Sequence, residues 1–157
     1  MNSYVHGYSN PETKRLRDQS FILSDLLHHD TRYAPGERVL EAGCGVGAQT
    51  VHLLEGSPEI SLTSLDLSLD SLRLAQVTLR DTKGPLPGFL QADLYRLPFG
   101  RGVFDHVFVC FVLEHLPDPV GALRQLKAVL KPGGTITVIE GDHGSCFFHP
   151  RSEEAWH

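Results

Sequence analysis

The sequence predicts an open, parallel α/β sheet with helices on both faces, and three observations predict it. Short apolar stretches alternate with segments of helical periodicity from residue 39 to residue 140. One stretch, Phe104 to Val112, is an almost unbroken apolar run, as a strand covered on both faces requires. A glycine-rich turn, Gly43-Cys44-Gly45-Val46-Gly47, follows the first stretch and leads into a helix. In such sheets, ligands sit beyond the carboxyl ends of the strands.

Taken in order, the chain opens as a short tail and then a helix. Ser9 and Glu12 have capping-box spacing, and Pro11 suits a first helical turn. Leu16, Ile22, Leu23, Leu26 and Leu27 then continue the pattern through His29. Pro35 and Gly36 break it, so residues 1–34 read as an N-terminal cap helix and 35–145 as the core. Val39 to Ala42 is the first strand, and Ala48 to Glu55 is a helix ended by Gly56, Ser57 and Pro58. Ile60 to Leu67 alternates as a second strand, and Ser68 suits the N-cap of a helix carrying Leu72, Ala75 and Leu79. Gly84, Pro85, Pro87 and Gly88 punctuate before a third strand, Phe89 to Ala92. Phe104 to Val112 is the fourth. Asp118 and Pro119 open a helix with Leu123, Leu126 and Leu130 on one face. The turn Lys131-Pro132-Gly133-Gly134 delivers a fifth strand, Thr135 to Glu140. Ser152 to Trp156 read as the first turn of another helix, so 146–157 is the start of an incomplete C-terminal segment. A helix of about five residues cannot hold itself together. An uncovered fifth strand would be an apolar edge that invites a second copy or a partner chain.

Composition narrows the function classes. The chain has 157 residues, enough for one domain with a real core. Its net charge of −5 speaks against nucleic acid or an acidic membrane surface, which call for a basic patch. No apolar run approaches the roughly 20 residues that span a bilayer, and the opening residues contain no apolar signal core. Cys44, Cys110 and Cys146 are odd in number and form no C-x-x-C pair, which suits a reducing cytoplasm and predicts no metal site. The nine histidines are scattered without strong metal-ligand spacing.

Candidate site residues cluster where the predicted strands end. Glycines at 43, 45 and 47 permit a tight turn and close approach of the backbone to a ligand. Gly43, Gly45 and Ala48 also satisfy the dinucleotide fingerprint. A nicotinamide enzyme, however, usually needs a second mononucleotide half or a catalytic domain, and neither fits here. Asp66 ends the second strand and can accept hydrogen bonds from both ribose hydroxyls of an adenosine. Asp93 ends the third and is placed to accept from an adenine amino group; a turn-forming role is the plainer alternative. At the end of the fourth strand, the backbone near Cys110 can accept from a ligand ammonium, with Glu114 and His115 facing the cleft or serving as caps.

With these residues in place, VLEAGCGVGAQT, SLDLS, QADL, FVCFVLEHL and LKPGGTITV resemble, in order and spacing, the successive motifs of class I S-adenosylmethionine-dependent methyltransferases. The resemblance covers residues 39 to 140 and implies a Rossmann-like sheet in strand order 3-2-1-4-5, here without the usual last two strands. It implies S-adenosyl-L-methionine as cofactor. Gly43, Gly45 and Gly47 would border its methionine part, Asp66 hold its ribose and Asp93 lie near its adenine, with Cys44, Leu67, Ala92 and Leu94 as further cofactor contacts. Glu41 matches the acid that organises the glycine loop and the cofactor's amino group, and Cys110 adds to the same pocket. The phrases around Tyr8, Gln19 and Glu140-Gly141-Asp142-His143 are similar to those of microbial small-molecule methyltransferases, where the N-terminal segment lies over the cofactor. Tyr8 and Gln19 are therefore further candidate contacts. The implied activity is methyl transfer to a small-molecule acceptor, with His115, Asp142 and His143 as candidate bases. The alternative is a non-catalytic cofactor-binding module completed by a partner chain.

Overall fold

The computed structural model describes residues 24, 26–82 and 84–141. Five strands, β1 (Arg38–Ala42), β2 (Ser61–Asp66), β3 (Gly88–Gln91), β4 (Phe104–Cys110) and β5 (Leu130–Ile139), form one sheet in the order β3-β2-β1-β4-β5. Every neighbouring pair is parallel, as predicted. The helices are α1 (Ala48–Gly56), α2 (Leu69–Thr78) and α3 (Pro119–Val129), with a 3-10 turn at Leu113–His115.

Two apolar layers cover the sheet. Val39, Leu62 and Phe108 pack on one face with Leu53 and Leu54 of α1. Leu40, Ala42, Leu65, Val107 and Val109 pack on the other with Ala122, Leu126 and Val129 of α3. β1 lies in the middle and is buried from Val39 to Ala42, which accounts for its apolar sequence with Glu41 as the exception. The helix starts follow their local chemistry. The Ser68 hydroxyl accepts from the Ser71 amide at 3.2 Å, and Asp118 accepts from the Gly121 amide at 2.8 Å with Pro119 opening α3.

Two boundaries differ from expectation by more than a residue. β4 stops at Cys110 rather than running on to Val112, because Phe111 turns left-handed (φ 55°) and Val112 opens the 3-10 turn. The Lys131–Gly134 segment lies inside β5 as a bulge rather than ahead of it as a turn. Pairing steps from Phe104↔Leu130 to His106↔Thr135, so β5 advances five residues while β4 advances two. Gly133 takes a left-handed conformation (φ 82°). A Cβ on Gly134 would stand 2.6 Å from the Asp105 carbonyl oxygen, so the strand presses against β4 where only glycine fits. Lys131 fixes the bulge through Asp105, its Nζ 2.7 Å from Oδ1.

Residues 24 and 26–28 are helical, matching the last turn of the predicted N-terminal helix. His28 Nε2 lies 2.7 Å from Gln49 Oε1 and its ring stacks on Phe108, seating this segment against α1 and β4. The rest of the predicted cap helix and the 146–157 segment lie outside the described residues. Among those described, no helix is long and apolar enough to cross a membrane.

Candidate functional site

The order β3-β2-β1-β4-β5 reverses between β1 and β4, and a crevice opens beyond the carboxyl ends at such a reversal. The glycine loop occupies that place. Gly43, Gly45 and Gly47 have φ of 77°, 53° and 80°, a region L-residues with side chains rarely adopt. The amides of Gly43 and Cys44 both donate to the Leu65 carbonyl, at 2.8 and 2.9 Å, which ties the loop to the end of β2. Gly43 also lies under the loop that follows β4, for a Cβ there would be 2.6 Å from Val112 Cγ2.

Two carboxylates lie at this end of the sheet, and Asp66 is the one bonded to the loop itself. Glu41 is 2% exposed and accepts from the Thr50 hydroxyl of α1 at 2.8 Å and the Ser64 hydroxyl of β2 at 2.6 Å. Burial pushes its pKa up to about 7, with the nearby Asp66 charge adding to the rise and the two hydroxyls opposing it. Asp66 accepts from the Gly45 amide at 2.9 Å and the Ser68 amide at 2.8 Å, so it joins the glycine loop to the start of α2. Burial raises its pKa too, against the pull of those amides. Leu67 beside it is 69% exposed and offers apolar surface at the rim.

The remaining predicted residues reach this end of the sheet in different states. The Ala92 amide donates to the Asp66 carbonyl at 3.1 Å, bringing the chain after β3 alongside Asp66. Asp93 is exposed and accepts from the Tyr95 amide at 2.9 Å, so it shapes a turn there. Leu94 is buried in the layer under α3. The thiols of Cys44 and Cys110 are buried, and burial drives both pKa values upward, which keeps them protonated and unreactive at neutral pH. His115 closes the 3-10 turn with Nε2 3.6 Å from Glu114 Oε1. Tyr8, Gln19, Asp142 and His143 lie outside the described residues.

The turn after β4 holds two features that sequence reasoning did not single out. Phe111 has φ 55°, a conformation that costs a residue with a side chain roughly 1–3 kcal/mol. Glu140, just past β5, accepts from the amides of Val112 at 3.1 Å and Leu113 at 2.9 Å. Nothing local in the sequence signals that contact, because the partner amides lie 28 and 27 residues upstream.

Comparison with known proteins agrees with this fold. Residues 40–138 match the methyltransferase domain family, and the chain belongs to it. It is 36% identical to the uncharacterized methyltransferase C1B3.06c of Schizosaccharomyces pombe, over 98% of this chain and 55% of that protein. It is 35% identical to the demethylmenaquinone methyltransferase of Lactococcus lactis, over 79% of this chain and 51% of the relative. The chain thus spans about half the length of these relatives. Among solved structures, a SAM dependent methyltransferase from Aquifex aeolicus shares the fold with a TM-score of 0.70 and 20% identity, covering 85% of this chain and 73% of that one.

Proposed function

We propose that the chain binds S-adenosyl-L-methionine across the carboxyl ends of β1, β2 and β3 and serves methyl transfer to a small-molecule acceptor. The observation that carries this reading is the left-handed glycine loop tied by the Gly45 amide to the Asp66 carboxylate, with Glu41 buried behind it. The residues fit the group. With about four lone-pair sites, the Asp66 carboxylate takes the Ser68, Gly45 and Leu67 amides and retains capacity for a ribose hydroxyl. Glu41 is bonded by hydroxyls, and its negative charge favours a cationic amino group near the loop. Leu67 supplies apolar surface beside Asp66 for a flat base.

When bound, this cofactor supplies a methyl group on a sulfonium, already a good leaving group. The chain's part is therefore orientation and exclusion of water more than chemical activation. His115, on the turn after β4, is the candidate to take a proton where the acceptor must lose one, with Asp142 and His143 after β5 as further candidates. The small-molecule class of acceptor draws support from the demethylmenaquinone methyltransferase relative. A cytoplasmic setting suits the free thiols of Cys44 and Cys110.

Calorimetric titration of S-adenosylmethionine and its demethylated product, with NADPH as control, tests the reading. Saturable binding of both adenosyl ligands is expected, with no NADPH binding. Asp66→Ala should weaken it about 10- to 100-fold, the effect of hydrogen bonds to a charged acceptor. A folded chain that ignores both ligands, or an Asp66→Ala variant that binds like the wild type, would refute it.

A further inference from the structure

We propose that Glu140 is a positioning residue of the cleft: delivered by the end of β5, its carboxylate clamps the loop after β4 against the glycine loop. This rests on the reading of the cleft as a cofactor site. β4 and β5 pair as far as Cys110↔Ile139, and the Phe111 amide extends the ladder with a 2.8 Å bond to the Ile139 carbonyl. Glu140 is the first residue past β5, and its carboxylate takes the next amides after β4. Oε1 accepts from Val112 and Leu113, at 3.1 and 2.9 Å, and Oε2 accepts more weakly from Glu114 at 3.5 Å.

These amides open the Leu113–His115 turn, whose own N-cap residue, Val112, provides no side-chain acceptor. Glu140 thus caps that turn from another strand, and a carboxylate is well suited to several converging N–H groups. The clamp also acts where the backbone is least willing, directly after the left-handed Phe111. Val112 is the link to the site: its two methyl groups lie where a Cβ on Gly43 would meet them, at 2.6 and 3.0 Å. Holding the Val112 amide therefore holds Val112 over Gly43. The same clamp sets where the turn carrying Glu114 and His115 stands. Released from Glu140, the loop could relax at Phe111 and swing Val112 off the glycine loop.

Backbone hydrogen exchange and S-adenosylmethionine titration on the wild type, Glu140→Ala and Glu140→Gln test this. Removing the carboxylate should speed exchange at Val112 and Leu113 about tenfold or more, leave Leu40 and Leu65 unchanged, and weaken cofactor binding about tenfold. Glu140→Gln retains an accepting oxygen at the same place and should recover most of the affinity. Unchanged exchange at Val112 and Leu113 would overturn the proposal, and so would faster exchange there with undiminished affinity. Uniformly faster exchange through β1 and β4, with no recovery in Glu140→Gln, would overturn it as well. A wild-type chain without affinity would remove the cofactor reading instead, and exchange at the two amides would then decide the clamp by itself.

Discussion

A carboxylate enclosed by protein must be bonded, paired or protonated, and Glu41 is bonded by two hydroxyls while burial holds its pKa near 7. The consequence has a definite sign. Between the ordinary value of 4.5 and about 7, the folded chain keeps a proton that the unfolded chain has released. Stability from this residue is therefore full below pH 4.5 and is lost as pH rises through 7, by about 3 kcal/mol at its full extent. Thermal melts across this window should show the wild type losing stability with rising pH relative to Glu41→Gln, which cannot titrate; parallel curves would contradict the assignment. A cationic ligand near the loop favours the ionised form, so cofactor binding should release a proton near pH 7, seen as a buffer-dependent heat. The carboxyl group itself was legible in the sequence because it stands two residues before Gly43. Its hydroxyl partners were not, since Thr50 and Ser64 come from different elements. Glu140 was hidden for the same reason, its contacts being set by strand pairing rather than by spacing along the chain.

Elements are where local sequence speaks most directly, and α3 shows both its reach and its limit. Asp118 caps the helix through the Gly121 amide, and Ala122, Leu126 and Val129 behind it seal one face of the sheet. Asp118→Ala should cost about 1 kcal/mol and lower the melting temperature by about 4 °C. Cofactor affinity should stay as it was, because the Asp118 carboxylate is turned to its own helix. A loss of affinity without a loss of stability in the melt and titration pair would give Asp118 a different role. The cap and the proline of α3 were readable in advance, as were the five strands and their order. Of the expected apolar face Leu123, Leu126 and Leu130, only Leu126 is fully buried, beside Ala122 and Val129, and Leu130 already belongs to β5. The bulge in β5 was not. Lys131-Pro132-Gly133-Gly134 has the composition of a turn, and only the approach of Gly134 to the Asp105 carbonyl and the Lys131–Asp105 ion pair make it part of a strand. Both contacts are made by one β4 residue, Asp105, beyond the reach of local pattern.

At the scale of the whole molecule, the two ends of the sheet are built differently. The amino end is closed by polar contacts between strands and their leads. His106 bridges Glu37 at 3.0 Å and Thr135 at 2.7 Å, and Asp105 joins the Arg38 amide to Lys131. The carboxyl end instead gathers the left-handed Gly43, Gly45 and Gly47 of one loop, the left-handed Phe111, the buried Glu41, the half-buried Asp66 and the exposed Leu67. Parallel pairing makes this asymmetry global, because every strand delivers its carboxyl end to the same side. A ligand that uses the crevice should therefore leave a one-sided footprint. Exchange measured with and without S-adenosylmethionine should slow at residues 43–47, 66–68 and 112–114, where backbone groups border the proposed site. It should stay constant at residues 37–39, 104–106 and 131–135, which are held together without the ligand. Protection at the amino end alone would move the site to the wrong side of the sheet. Even protection at both ends would mean that the ligand stabilises the fold without choosing a place on it, and the asymmetry would then lose its functional meaning.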